Sequence, residues 1–277
     1  MVTNNKIMKR IKSIEEIHNI LLGIIKEFHR ICEANNIPYY LVYGSMLGAI
    51  RHRGFIPWDD DIDVAIEYKY YSQLLDCLQK NLSSKYRVLS RYDKRGAPGG
   101  FLKIEEIQTL LIEPYLKKEE CTGVFIDIFI LYPATGNVSL FSRYTIWKCL
   151  RYIQMNRFYQ PQTDDFPDRA IKALIKCVFF WLKKHQLINL FEKLLVPNSG
   201  DYLSTYNTIY NKRDIIPRSY YGRPVLVEFE NYKLYGVEFP HKYLSLIYND
   251  YMKLPSAENR RVHLSDAYYI NIKKNNL

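Results

Sequence analysis

Four carboxylates fall within five positions: Asp59, Asp60, Asp61 and Asp63. Carboxylates this close raise one another's pKa and drive the chain apart unless something neutralises them. A bound divalent cation is the usual remedy, and oxygen-only ligands suit Mg²⁺, Mn²⁺ or Ca²⁺. The local pattern constrains the geometry further. If Asp61-Ile62-Asp63-Val64 is a strand, Asp61 and Asp63 share one face and Ile62 and Val64 the other. The apolar face then packs on a core and the acidic face holds metal. Asp59 has the same parity and joins the pair if the strand starts early, whereas Asp60 faces away.

The flanking sequence supplies the rest of a site. Residues Tyr39 to Tyr43 read as a short buried strand, followed by Gly44-Ser45. Met46 to Arg51 can form a helical turn whose start, at Ser45, offers free backbone N–H groups to an anion. A basic triplet, Arg51-His52-Arg53, follows, and Gly54 to Pro57 turns into the acidic strand. Before all this, Ser13 to Ala34 carries apolar residues at helical spacing, with Ser13 and Glu16 placed as a capping box. After it come a second helix at Glu67 to Leu82, strands at Tyr86 to Ser90 and Phe101 to Ile104 (carrying Lys103), and a nearly all-apolar run from Gly123 to Ile130. That run reads as a central buried strand. A lone Asp127 inside it is costly unless it is paired, binds metal or caps a local turn. A Gly-Ser turn, an Asp-x-Asp strand and a third Asp on a later apolar strand form the arrangement that nucleotidyltransferase folds use for two-metal phosphoryl transfer, with one or two Mg²⁺ beside a phosphate. A Cβ at Gly44 would hinder the approach of backbone amides to that phosphate.

The expected architecture is α/β (mixed α+β): a minimal nucleotidyltransferase-like mixed sheet flanked by helices. It forms a single domain over 1–277, with a core at about 13–135 and 225–263 and a mostly helical insertion at about 139–220. Val225 to Phe239 alternates with a break at Glu230-Asn231, the pattern of a hairpin. Pro240 to Met252 reads as the last helix, and the remainder to Asn276 as tail. The formal charge of +10 favours polyanionic partners or a soluble Lys-rich surface. The lysines form no aromatic-interleaved stripe, which argues against nucleic acid. Five scattered cysteines without a CxxC pair indicate reduced thiols in the cytoplasm rather than a zinc or disulfide framework. The basic N-terminus lacks the apolar run of a signal peptide, and no stretch is long enough to span a bilayer. The run Cys177 to Leu182, flanked by Lys172, Lys176, Lys183 and Lys184, fits either a core helix or one lying on an anionic membrane surface.

The stretch YGSMLGAIRHRGFIPWDDDIDVAI closely resembles the signature of the LicD family, which includes the fukutin-like proteins. Looser likenesses are Phe125 to Phe129, Val227 to Glu230, Tyr243-Leu244, Tyr248 to Met252, Pro255, Arg260 and His263, so the resemblance spans roughly residues 25 to 263. There are departures. Ile130 and Tyr132 replace a Pro and an Asp usual on the third-acid strand, which removes a fourth acidic position. Asn249 stands where the family usually has Gly. The resemblance implies transfer of a phospho-alcohol, typically phosphocholine from CDP-choline, onto a sugar hydroxyl of a cell-surface glycan or glycolipid, releasing CMP. The acceptor would be a lipopolysaccharide, teichoic acid or capsule precursor. Carried onto this chain, Asp61 and Asp63 are the principal Mg²⁺ ligands (Mn²⁺ being the substitute), Asp59 joins them, and Asp127 completes the site as ligand or base. Gly44 and Ser45 contact the donor diphosphate. Arg51, His52 and Lys103 are candidates for phosphate contacts. Arg51 and Lys103 fit salt bridges to the Asp cluster as well, and His52 a structural role. Glu228 fits the site and the hairpin surface alike. The choline ammonium needs an aromatic box, for which Trp58, otherwise a packing residue, stands nearest. Two other classes compete: nucleotidyl transfer to a small molecule or sugar with pyrophosphate release, and a non-catalytic metal- or polyanion-binding protein. Against the latter, the cluster lacks the sixth-position Gly and distal Glu of an EF-hand.

Overall fold

The computed structural model describes residues 2–3, 6–93, 101–112, 121–134, 173, 177–178, 181, 183–195, 199–205, 211–256, 258, 260 and 266–272. Strands β1 (Val2–Thr3) and β2 (Lys6–Arg10) precede helix α1 (Ile14–Ala34). The buried stripe of α1, from Ile17 through Leu21, Ile24 and Phe28 to Ile31, repeats every three to four residues and faces the sheet. Each such side chain contributes about 1.5–3 kcal/mol on burial. Ser13 caps the helix by accepting from the Glu16 N–H at 3.3 Å. The return arm of the expected capping box is displaced by one residue, since Glu16 accepts from the Lys12 N–H at 3.3 Å.

Strand β3 (Tyr40–Leu41) is shorter than the sequence suggests, because helix α2 (Tyr43–His52) already begins at Tyr43. The chain reverses at Tyr43 itself, whose φ is +48°. Gly44 and Ser45 are therefore helical residues, not a turn before a helix. Then come β4 (Asp63–Glu67), α3 (Tyr71–Asn81), β5 (Tyr86–Leu89), β6 (Leu102–Glu106), β7 (Thr109–Ile112) and β8 (Phe125–Ala134). The acidic strand starts at Asp63 rather than Asp61, and the apolar strand runs four residues past its expected end. The described part of the later chain contains α4 (Lys184–Leu195), β9 (Tyr202–Ser204), β10 (Ile216–Pro217) and α5 (Arg218–Tyr221). It continues with β11 (Val225–Phe229), β12 (Tyr232–Gly236), α6 (Pro240–Tyr248) and β13 (Asp266–Ile272). The expected helices of residues 139–172 lie outside the described residues, as do Lys172, Lys176 and His263.

The architecture is mixed α and β. A seven-stranded sheet forms the centre. Its long strand β8 pairs in parallel with β4, which pairs with β3. On its other edge, β8 pairs first with β6, itself paired with β5, and then with β9, which pairs with β10. β9 and β10 thus bring residues from the stretch expected to be a helical insertion into the central sheet. The hairpin β11–β12 turns at Glu230-Asn231 as its sequence indicates. The expected C-terminal tail is corrected: β13 lies between β2 and β7 in a second sheet. Its partners are a charged segment near the start of the chain and a four-residue strand at 109–112, so no local pattern announces it. No disulfide forms among the described residues. No helix among them is long and apolar enough to cross a membrane.

Candidate active site

Strand register assembles the acidic centre. Asp63 pairs with Asp127 across β4 and β8, and Lys103 pairs with Asp127 across β6 and β8. The three side chains therefore form one row on one face of the sheet. Lys103 is buried, with Nζ 3.9 Å from Asp127 Oδ1 and 3.3 Å above the centre of the Phe125 ring. The Asp127 N–H donates to the Ile62 carbonyl at 2.9 Å, so the pairing begins ahead of β4 and keeps Asp61 in alternation with Asp63.

Helix α2 is tied to this row. The Asp63 N–H donates to Ser45 Oγ at 2.8 Å, so the Ser45 hydroxyl holds the acidic strand. A Cβ on Gly44 would come within 2.8 Å of Asp59 Oδ2. The Asp59 carboxylate therefore leans on the start of α2. The helix start is itself anchored. The Tyr43 N–H donates to the Tyr243 hydroxyl at 3.2 Å, and the Tyr43 hydroxyl donates to the buried Asp214 carboxylate, which also accepts from Ser204 Oγ at 2.7 Å. The loop carrying the carboxylates is clamped from two sides. His18 Nε2–H donates to the Asp59 carbonyl at 2.6 Å, with its ring stacked on Phe55. Glu230 accepts from the Phe55 N–H at 3.0 Å and donates its own N–H to the Arg53 carbonyl at 2.7 Å. Sequence reasoning missed Glu230 because the hairpin turn that aims it is distant in sequence. Glu228, two residues earlier, lies exposed on the hairpin surface, 4.0 Å from Arg53.

Burial first, and then Asp61 and Asp60, push the Asp59 carboxyl up to about 8. Burial likewise holds Asp63 well above the carboxylate range, reinforced by Asp61, Asp127 and Asp59 and opposed by Lys103. Asp60, expected to face away, is half-buried, and its Oδ1 is out of solvent. The donor set is all oxygen and mutually repelling, and that chemistry fits a hard divalent cation. As they stand, no three His, Cys, Asp or Glu side chains among the described residues converge into a finished metal cage. The fit is one of ligand type and charge.

A cleft of about 530 Å³ opens beside the carboxylates, lined by Gly44, Arg51, Trp58, Asp59, Asp61, Asp63, Tyr248, Asp250 and Tyr251 among others. Arg51 spans its edge, donating from Nη1 to the Tyr251 carbonyl at 2.8 Å and from Nε to His52 Nε2 at 2.9 Å. His52 does not line the cleft. It stands edge-on to Trp58, and burial, then Arg51, lower its pKa. The Arg260 guanidinium lies 4.6 Å over the Trp58 ring.

The sequence profile of the LicD/FKTN/FKRP nucleotidyltransferase domain matches residues 36–183, more than half of the 277-residue chain. The chain belongs to the LicD family. It is 27% identical to the lipopolysaccharide cholinephosphotransferase LicD of Haemophilus influenzae over 273 residues, covering 95% of this chain and 100% of that protein. It is 26% identical to the human ribitol 5-phosphate transferase FKRP over 132 residues, covering 46% of this chain but 22% of FKRP. At Asn249, where the resemblance leads to an expectation of Gly, the backbone takes a conformation suited to Gly. Asn249 has φ +60° and ψ −114°, a conformation that favours a residue without a Cβ. Tyr132, where the family usually has an acid, is buried and its hydroxyl accepts from Arg91 at 3.1 Å.

Proposed function

We propose that this chain transfers phosphocholine, or a similar phospho-alcohol, from CDP-choline to a sugar hydroxyl of a cell-surface glycan, releasing CMP. The observation that carries the proposal is a single cleft lined by two kinds of chemistry: the carboxylates Asp59, Asp61 and Asp63 together with the aromatics Trp58, Tyr248 and Tyr251. Phosphoryl transfer needs the first. A quaternary ammonium binds the faces of the second, with Asp250 close by to complement its charge. The Trp58 ring already carries a cation, the Arg260 guanidinium. The full-length likeness to a lipopolysaccharide cholinephosphotransferase supports the same reading.

In this reading Asp61 and Asp63 are the principal ligands of Mg²⁺, or of Mn²⁺ in its place, with Asp59 and Asp127 completing the set. The cation, when bound, offsets the charge of the donor phosphates. Backbone amides at Gly44 and Ser45, at the start of α2, meet the donor diphosphate. The Ser45 hydroxyl accepts from the Asp63 N–H and retains its own proton as a donor. Arg51 and Lys103 balance phosphate charge, and His52 supports Arg51. Asp127 is the third acid, as ligand or as acceptor of the sugar hydroxyl proton. The acceptor is a lipopolysaccharide, teichoic acid or capsule precursor, met in the cytoplasm, with the basic surface resting on the inner face of the membrane. The match to FKRP favours a second reading, a cytidine diphosphate polyol as donor.

The test is incubation with CDP-choline, Mg²⁺ and candidate glycans, following CMP release with and without acceptor, alongside CDP-ribitol. Acceptor-dependent CMP release from CDP-choline is expected. Release from CDP-ribitol alone selects the second reading. Pyrophosphate release from a nucleoside triphosphate, without CMP release from either donor, overturns both.

A further inference from the structure

The sheet builds a fixed positive charge into the acidic row. Lys103, Asp127 and Asp63 sit opposite one another on three consecutive strands, each about 4.8 Å from the next. The row therefore reads cation, anion, anion. Lys103 is held there by more than its partner Asp127. It is buried, its ammonium lies 3.3 Å above Phe125, two residues before Asp127 on β8, and Leu89 pairs beside it on β5. Its ammonium is part of the sheet's interior face and not a mobile surface charge.

Two-cation phosphoryl-transfer sites hold their ions about 3.5–4 Å apart, bridged by shared carboxylates. In this row the space beside Asp127 on its β6 side belongs to Lys103, 3.9 Å from Asp127 Oδ1. A second divalent ion there would face a buried ammonium at close range.

We propose that the site takes one divalent cation, at Asp61 and Asp63, and that Lys103 supplies the positive charge that a second metal ion would otherwise bring to Asp127 and the phosphoryl group. This rests on the phosphotransferase reading above and fixes its metal count. Lys103 then does more than touch a phosphate: it sets the stoichiometry.

The experiment is a titration of the full chain with Mn²⁺, alone and with saturating CMP, with free Mn²⁺ counted by electron paramagnetic resonance. Wild type should saturate at one Mn²⁺ per chain in both series. Lys103→Met should keep that one ion with similar affinity while kcat falls about 10²-fold or more. Lys103→Arg, which keeps the charge, should recover part of the loss. Lys103→Asp, which exchanges the ammonium for a ligand, should bind a second Mn²⁺. Two Mn²⁺ per wild-type chain, or undiminished kcat in Lys103→Met, overturns the proposal. If Lys103→Met does not fold, the wild-type count and Lys103→Arg still decide. Failure of the proposed function is separate: a wild type that releases no CMP refutes the reaction while the ion count stands by itself.

Discussion

Asp61, Asp63 and Asp127 stand out in the sequence against the apolar residues they alternate with, and the strand register sets Asp63 opposite Asp127. Alternation with Ile62 and Val64, and isolation between Ile126 and Ile128, make these carboxylates costly unless they are paired or bind a cation. Asp61→Asn and Asp63→Asn should each lower turnover by about 10²-fold or more, with circular dichroism unchanged. Full activity in both would remove these residues from the site. What Gly44 and Ser45 touch was not legible, because it depends on how closely α2 approaches the acidic loop. Asp59 carries a pH consequence. Its carboxyl, ordinarily near 3.8, titrates at about 8 in the folded chain. The folded state therefore keeps a proton that the unfolded state has lost, and this contribution to stability is complete below about pH 3.8 and lost as pH rises through about 8. Without divalent cations, the thermal midpoint should fall between pH 6 and pH 9, and Asp59→Asn should flatten that fall. A wild-type midpoint as flat as the variant's would contradict the coupling.

Elements with their own local pattern were readable from sequence. α1 has its apolar stripe and cap, and β11–β12 its alternation and break. β2 is charged and β7 short, and both, like β13, acquire their meaning from partners far away in the chain. The close crossing of α2 by the acidic loop was equally hidden, and it makes a sharp prediction. A Cβ at Gly48 would come within 2.4 Å of the Gly54 carbonyl oxygen, a backbone atom that cannot swing aside. Gly48→Ala should destabilise the chain by about 1–3 kcal/mol, measured by denaturant unfolding. It should also weaken Mn²⁺ binding, because the displaced loop leads directly to Asp59. A neutral Gly48→Ala would mean that the crossing is looser than described.

At the scale of the whole molecule, the site is a meeting of segments: α1 through His18, α2 through Ser45, the hairpin through Glu230, and α6 with the turn after it through Tyr248 and Tyr251. A cation that binds only this assembled arrangement should raise the unfolding midpoint by mass action, by about 2.7 kcal/mol at a hundred times its Kd. Mg²⁺ should therefore protect wild type against heat, and Asp63→Asn should lose that protection. Equal protection of both would place the ion elsewhere.

The parallel pairing of β4 with β8 sets the order of events during synthesis. Asp63 leaves the ribosome some sixty residues before Asp127, and its strand has no partner on that side until β8 follows. In the interval the nascent chain exposes an apolar strand edge and an uncompensated acidic end, the kind of segment that invites chaperones. Closing that long loop costs entropy before the pairing returns anything. Catalytic competence should therefore appear late and all at once in a refolding time course, after helix formation is complete.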